Sequence, residues 1–105
     1  MLFDTHVNLH AEQFAGDLPE VLARARAAGV TRFVTICDRF DRFPAVKAIA
    51  HANDDITCSV GVHPHYAKDF WSLEAKTLVE EARDPKVVGI GETGLDQHYG
   101  YSDIV

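Results

Sequence analysis

Phe33-Val34-Thr35-Ile36-Cys37 is a nearly continuous apolar run, which is typical of a strand buried on both faces of a parallel sheet. It lies within a longer run, Thr31–Cys37, and three other runs share its β-branched character: Leu2–Val7, Ile56–Val62 and Val87–Ile90. The four runs begin 25 to 31 residues apart, which is the length of a βα unit. The spacing therefore predicts an α/β fold with four parallel strands joined by helical crossovers.

Helical patterns occupy the three intervals between these runs. The first begins after Asp17, which can cap a helix, with Glu20 at the spacing of a capping box. Gly29 supplies the stop at its other end. Two further helices are predicted, one after Asp41 that ends at Asn53 and one from Ser72 to the residue before Asp84-Pro85.

The composition is that of an ordinary globular domain. The 105 residues are 47% hydrophobic and 25% charged, and no apolar run approaches the ~20 residues that a membrane span requires. An acid, Asp4, stands where a signal peptide has its basic segment, and two cysteines are too few for a disulfide scaffold. We therefore expect a cytoplasmic protein with no membrane segment, in which Cys37 and Cys58 are buried free thiols.

The formal charge of −6 bears on the class of partner. It speaks against a protein that binds nucleic acid through surface charge alone, because such a protein normally has a basic surface. It does not speak against a nucleic-acid enzyme, whose metal-binding carboxylates also count as negative in the sequence.

The end of each predicted strand carries groups that can do chemistry. In parallel α/β folds, ligands bind at the carboxyl ends of the strands, whether the sheet is doubly wound or the first part of an eight-stranded barrel. Both architectures fit the alternation. We expect the following residues to meet on one face of the molecule: His6, Asn8, Asp38, His63, His65 and Glu92.

Several of these candidates also have an ordinary structural interpretation. His6 and Asn8 are two apart on a strand and point to one side, but an amide makes the pair a weak chelate. Their ordinary interpretation is a core histidine and a turn asparagine. Glu92 follows a buried strand, where a carboxylate is costly unless it is paired, protonated or bound to a cation, although it can also cap a turn. Asp96 is close enough in sequence to reach the same place.

The third strand ends at Pro64, which fixes His63 at the rim, where an imidazole can bind phosphate or act as a general acid. His65 is expected in an exposed loop. Asp38 precedes a charged segment, residues 39–42, and is expected in a solvated ion-pair cluster or at a helix start. Spacing predicts no partner for three further histidines: His10, His51 and His98.

Three segments also match known motifs in their order along the chain. The motifs are Phe3-Asp4-Thr5-His6-Val7-Asn8-Leu9, Gly61-Val62-His63-Pro64-His65 and Val88-Gly89-Ile90-Gly91-Glu92-Thr93-Gly94-Leu95-Asp96. They resemble the signatures of the TatD-like metal-dependent deoxyribonucleases, which belong to the amidohydrolase-type barrel superfamily. Asn8 takes the place of the second histidine in the family's opening Asp-x-His-x-His motif. The third motif is the most specific, and the resemblance covers essentially the whole chain.

This resemblance implies a hydrolase that cleaves phosphodiester bonds of DNA with metal-activated water. It implies that His6 and Glu92 hold a divalent metal, which can be magnesium, manganese or zinc. Glu92 and His63 are implied to be catalytic. The residues implied to contact the substrate are His63, His65, Asp96 and Asn8.

The resemblance further implies a TIM-type (β/α)8 barrel, which needs about 250 residues. Residues 1–105 would then be a single domain truncated at its C-terminus, a half barrel with the first four strands, and the next helix would begin within Tyr101–Val105. A half barrel exposes sheet edges and an apolar inner side, so self-association or pairing with a C-terminal half is expected. Two alternatives stand beside the nuclease: a non-catalytic half-barrel fragment or assembly module that lacks the remaining metal ligands, and a related metal-dependent hydrolase of another ester or amide.

Overall fold

The computed structural model describes residues 1–101, in which four strands form one parallel sheet. The strands are β1 (Leu2–Val7), β2 (Val30–Thr35), β3 (Ile56–Val60) and β4 (Val87–Ile90), and they lie side by side in chain order. A doubly wound sheet would reverse its strand order at a switch point. The unbroken order is therefore that of successive units of a barrel, and the doubly wound alternative is wrong for the described residues.

One α-helix lies between each pair of consecutive strands. The helices are α1 (Leu18–Ala27), α2 (Phe43–Ala52) and α3 (Ala75–Glu81), with 3-10 segments at Glu12–Phe14, Phe40–Arg42 and Pro64–Asp69. The helix α3 begins three residues later than the predicted Ser72. Asp17 precedes α1, but its side chain makes no capping hydrogen bond, because its backbone (φ −141°, ψ 21°) departs from the extended form that aims the carboxylate at the helix. The predicted capping box is therefore wrong.

The strands β1 and β4 have the predicted bounds, whereas β2 and β3 each end two residues early. The backbone leaves the regular ladder there: the N–H of Ile36 donates to the carbonyl oxygen of Val7, and the N–H of Cys37 donates to Ser59 Oγ. These last residues of the apolar runs thus form the start of the loops at the sheet edge. The predicted helix after β4 lies, apart from Tyr101, outside the described residues.

The core lies between the sheet and its helices. Phe33, Ile56 and Val60 of the strands are at most 3% exposed, and they belong to one cluster with Phe43 and Val46 of α2. Cys37 and Cys58 are free and fully buried, as predicted, and burial raises the pKa of each thiol to about 11. Thiols in this state are poor nucleophiles near neutral pH, so their role is packing.

The face of the sheet opposite the core is open. Val88 and Ile90 of β4 are 60% and 46% exposed, and with Val34 and Ile36 they line a shallow, mostly apolar cavity of about 260 Å³. This is the uncovered inner side expected of a half barrel. Within residues 1–101, no helix combines the length and the apolar character needed to cross a bilayer.

Candidate functional site at the carboxyl ends of the strands

The four strand ends enclose an open, polar cavity of about 300 Å³, which we call the mouth. Each strand contributes at least one residue through its end or the loop that follows. The lining residues are His6, Asn8, Asp38, His63, His65, Tyr66 and Glu92. The predicted convergence of strand-end residues on one face is therefore observed, with Tyr66 as the one member that spacing did not suggest.

The centre of the mouth is the carboxylate of Glu92. Its Oε1 lies 3.9 Å from His6 Nε2 and 3.7 Å from His63 Nε2. The side chains of Glu92 and His63 are about one quarter exposed, and that of His6 is 58% exposed. Two imidazole nitrogens from β1 and from the loop after β3 thus face one carboxylate oxygen from the loop after β4.

A local hydrogen bond fixes the chemistry of His63. The backbone N–H of His65 donates to His63 Nδ1 at 3.0 Å, so Nδ1 is an acceptor. The neutral ring therefore carries its proton on Nε2, the nitrogen that faces Glu92. In this state, His63 presents a hydrogen-bond donor to the mouth, which suits contact with a phosphate oxygen better than ligation of a metal.

Contacts from β2 and β3 position Glu92. The backbone N–H of Glu92 donates to the carbonyl oxygen of Cys37 at 3.2 Å, and Ser59 Oγ donates to the carbonyl oxygen of Gly91 at 2.7 Å. A Cβ on Gly61 would lie 2.6–2.7 Å from backbone atoms of Gly91 and Glu92, a distance that side chains do not tolerate. The absence of a side chain at Gly61 is thus what lets the end of β3 approach the Glu92 backbone.

Asn8 lies in a turn, as its ordinary interpretation predicts, and its side chain lines the mouth. Its Nδ2 donates to the carbonyl oxygen of Ile36 at 2.8 Å, which ties the end of β1 to the end of β2. Its backbone carbonyl accepts from the N–H of Ala11 in a turn. With the amide nitrogen engaged, its side-chain oxygen is left as the acceptor that Asn8 can offer to the mouth.

Asp38 is not part of the expected ion-pair cluster. Arg39 pairs instead with Asp41 and Asp69, while Asp38 lines the mouth and its Oδ1 accepts from His10 Nε2 at 2.8 Å. The His10 side chain is 1% exposed, and its Nδ1 makes no hydrogen bond within residues 1–101. Sequence reasoning missed this buried pair, because its members are 28 residues apart and the only signal was that each follows a strand end.

His65 connects the mouth to the loop after β4, and is half-buried there instead of freely exposed. Its Nε2 lies 3.5 Å from Asp96 Oδ2. Asp96 Oδ1 accepts from the backbone N–H groups of His98 and Tyr99. Desolvation raises the pKa of Asp96, but the two N–H donors and the nearby imidazoles outweigh it, so this pKa lies below its ordinary value. Asp96 is thus held as a carboxylate beside His65.

The donor atoms fit a divalent cation in kind, since imidazole nitrogen and carboxylate oxygen are common ligands of zinc and manganese. His6 and Glu92 can supply one of each. Across residues 1–101, however, no three His, Cys, Asp or Glu side chains are grouped so as to hold a metal ion. Within the described residues, His6 and Glu92 by themselves offer one imidazole nitrogen and one carboxylate oxygen.

Comparison with known proteins agrees with this architecture. Residues 3–103 match the model of the family described as TatD related DNase, and the chain belongs to this family. The resemblance of the three motifs is thereby confirmed.

Two curated relatives illustrate the range of the family. The chain is 41% identical over 104 residues to the uncharacterized metal-dependent hydrolase YabD of Bacillus subtilis, and 38% identical over 103 residues to the 3'-5' ssDNA/RNA exonuclease TatD of Erwinia tasmaniensis. Each alignment covers 97% of this chain and 40% of the relative. The chain thus spans about two fifths of the length of these relatives.

The chain also spans about two fifths of a protein of solved structure. The crystal structure of the TatD homolog YjjV from Escherichia coli superposes with a TM-score of 0.74 at 29% identity, over 92% of this chain and 38% of that one. The α/β fold and its assignment to the first four strands of a TIM-type barrel are confirmed.

Proposed function

We propose that this chain carries part of the active site of a metal-dependent deoxyribonuclease, which hydrolyses phosphodiester bonds of DNA. The observation that carries the proposal is the convergence of His6 Nε2 and His63 Nε2 on Glu92 Oε1. It occurs at the edge of the sheet where parallel α/β enzymes bind their substrates. Membership of the TatD related DNase family and the names of the relatives support hydrolytic chemistry on nucleic acid.

His6 and Glu92 would hold the divalent metal, which can be magnesium, manganese or zinc. When bound, such an ion supplies Lewis-acid stabilisation of the charge on a phosphate and lowers the pKa of water. Glu92 suits this role because its carboxylate lies at the centre of the mouth and its backbone is fixed by Cys37 and by the close approach of Gly61.

His63 would donate from Nε2 to an oxygen of the scissile phosphate. The hydrogen bond that Nδ1 accepts from the His65 backbone holds the ring in the required orientation and tautomer. Asn8 would offer its side-chain oxygen to the substrate, and His65 with Asp96 would contact the neighbouring nucleotide.

We also propose that residues 1–105 are a single domain that supplies the first four βα units of an eight-stranded barrel, with further metal ligands contributed by a C-terminal half. The order of the strands, the open inner face and the coverage of the relatives support this arrangement. The free buried thiols fit a reducing compartment, so we assign the protein to the cytoplasm.

A second candidate is a non-catalytic assembly module. It is favoured by the lack, within the described part of the chain, of three side chains that could hold a metal ion.

The test is manganese- or magnesium-dependent hydrolysis of single-stranded DNA by the purified 105-residue chain and two variants. Glu92→Gln removes the central carboxylate charge, and we expect at least about a 100-fold loss of rate. Glu74→Gln is the matched control, since Glu74 is a 66% exposed residue before α3, and we expect no change.

The outcomes separate the candidates. Equal rates for Glu92→Gln and the parent would refute the nuclease assignment. An inactive parent that stays inactive when a C-terminal half is supplied would support the assembly module. Activity that appears with that half would support the nuclease, because the half supplies the remaining ligands. Hydrolysis of p-nitrophenyl acetate without hydrolysis of DNA or of bis(p-nitrophenyl) phosphate would favour another ester as substrate.

A further inference from the structure

Two aromatic side chains beside the mouth have no role in the chemistry described so far. The rings of Tyr99 and Tyr101 stack with their centroids 5.4 Å apart and their planes 14° apart. They are among the exposed large apolar residues, at 58% and 48% exposure. A stacked aromatic pair that is half exposed contributes little to the core of the described residues and leaves ring surface open to a ligand.

The pair is held in place by the mouth itself. The His65 ring meets both tyrosines edge to face, at a centroid distance of 4.9 Å in each case. It also contacts His63, the proposed phosphate donor, with ring centroids 4.3 Å apart. The His65 ring therefore lies between the two tyrosines and His63, the residue that would hold the scissile phosphate.

The loop is also ordered by its own hydrogen bonds. Asp96 Oδ1 accepts from the backbone N–H groups of His98 and Tyr99, which closes a turn just before the tyrosines. The ring of His98 meets Tyr99 edge to face at 4.7 Å. A rigid aromatic surface loses little conformational entropy when a ligand stacks on it.

The charge of the chain restricts how it can hold a polyanion. Its formal charge is −6, so general attraction of the phosphate backbone is weak. Stacking of a nucleobase on an aromatic ring needs no positive charge and tolerates any base. It does require that the base is unpaired and exposed, which is the case in a single strand and not in a duplex.

We propose that Tyr99 and Tyr101 form a stacking platform for a base of single-stranded nucleic acid, next to the phosphate bound at His63. The proposal rests on the proposed nuclease function and deepens it, because it assigns to two residues the selection of single strands over duplex.

The test is binding of fluorescently labelled oligodeoxyadenylate to the 105-residue chain in EDTA, where hydrolysis does not occur, read by anisotropy. We expect Tyr99→Ala and Tyr101→Ala each to raise Kd by about 5- to 150-fold. The conservative variants Tyr99→Phe and Tyr101→Phe keep the ring and should bind within about twofold of the parent. Trp71→Ala removes an 86% exposed aromatic side chain away from the mouth and is the matched control, with no expected change.

An abasic oligonucleotide of the same length distinguishes stacking from phosphate contact. It carries the phosphates without the bases, so it should bind the parent weakly and be insensitive to the alanine variants. Equal losses on intact and abasic strands, or alanine variants that bind like the parent, would overturn the platform. So would duplex binding as tight as single-strand binding.

Separate assays test the stacking platform and the proposed nuclease function. The hydrolysis assay with Glu92→Gln decides the nuclease. Base-dependent binding in EDTA decides the platform, and far-ultraviolet circular dichroism of each variant shows that the fold is intact.

Discussion

The two ends of the sheet hold their charged side chains differently. At the amino end, Arg26 donates from Nε and Nη2 to both oxygens of Asp55 at 2.8 Å, and Lys86 Nζ donates to two backbone carbonyls at 2.8–2.9 Å. At the carboxyl end, the distances from His6 and His63 to Glu92 are 3.9 and 3.7 Å. The charges of Arg26, Asp55 and Lys86 are thus satisfied within the chain, whereas the carboxylate of Glu92 faces the mouth.

The amino end therefore stabilises the fold, while the carboxyl end holds the groups available for chemistry. Short, bidentate ion pairs stabilise a fold, while a partly buried carboxylate without a hydrogen bond is costly in the absence of a ligand. The carboxyl end also has short contacts, such as those between Asp38 and the buried imidazole of His10 and between Arg39 and Asp41. The contact between His10 and Asp38 shows that buried side chains also hold the lining of the mouth in place.

Substitution of Gly61 by alanine should have the largest effect, because it forces apart the two strand ends that place Glu92. The added Cβ would lie 2.6 Å from backbone atoms of Gly91 and Glu92, which cannot move independently of the loop. We expect a loss of about 1–3 kcal/mol in the free energy of unfolding, measured by urea denaturation, and a loss of about 100-fold in DNA hydrolysis.

Gly16→Ala is the control for this change, since nothing lies within 4 Å of its added Cβ. A Gly61→Ala variant with the stability and rate of the Gly16→Ala variant would show that the close approach at Gly61 does not position Glu92.

Substitutions at opposite ends should separate stability from activity. Asp55→Asn removes the bidentate partner of Arg26, and we expect it to lower the free energy of unfolding by about 1 kcal/mol with little effect on hydrolysis. His6→Gln should leave stability within about 0.5 kcal/mol, because the side chain is 58% exposed, but should lower hydrolysis at least about 10-fold. The reverse pattern would contradict the division between the two ends.

Low pH should destabilise the fold by protonating carboxylates at both ends of the sheet. The effect of each carboxylate should be smaller than the effects of the substitutions above. Hydrogen bonds from Arg26 hold the pKa of Asp55 below its model-peptide value of 3.8, and a hydrogen bond from His51 does the same for Asp84. The pKa of Asp96 is also lowered, despite the opposing effect of desolvation. Because the unfolded chain binds these protons more readily, stability is present above pH 3.8 and is lost as the pH falls below it.

The measurement is urea denaturation between pH 3 and pH 6. The free energy of unfolding of the parent should decline through the lower part of this range, and Asp55→Asn should decline less steeply. Parallel curves for the two proteins would show that the Arg26–Asp55 pair does not contribute to the acid sensitivity.

Much of the fold was predictable, because the signals are local. The apolar runs predicted β1 and β4 with their correct bounds, and the intervals between the runs predicted the three helices. The predicted start of the third helix at Ser72 was wrong by three residues, and the capping box at Asp17 was wrong, because cap geometry depends on how the preceding loop enters the helix.

The candidate site was predictable in membership but not in its contacts. That the residues ending each strand would meet follows from parallel topology alone, and His6, His63 and Glu92 do meet. Nothing local indicated that His10 would be buried against Asp38, or that Ser59 would hold the Gly91 carbonyl. Those pairs depend on the register between neighbouring strands, such as Val7 opposite Thr35.

The alternation of strands and helices and the chemical groups at each strand end follow from local sequence, because the hydrophobic period is a property of short segments. The folded chain was needed to establish the strand order, the partner of each buried polar atom, and the tautomer and direction of the His63 ring. These depend on distances between atoms far apart in the chain, or on a backbone turn at Pro64 whose shape the residue types alone leave open.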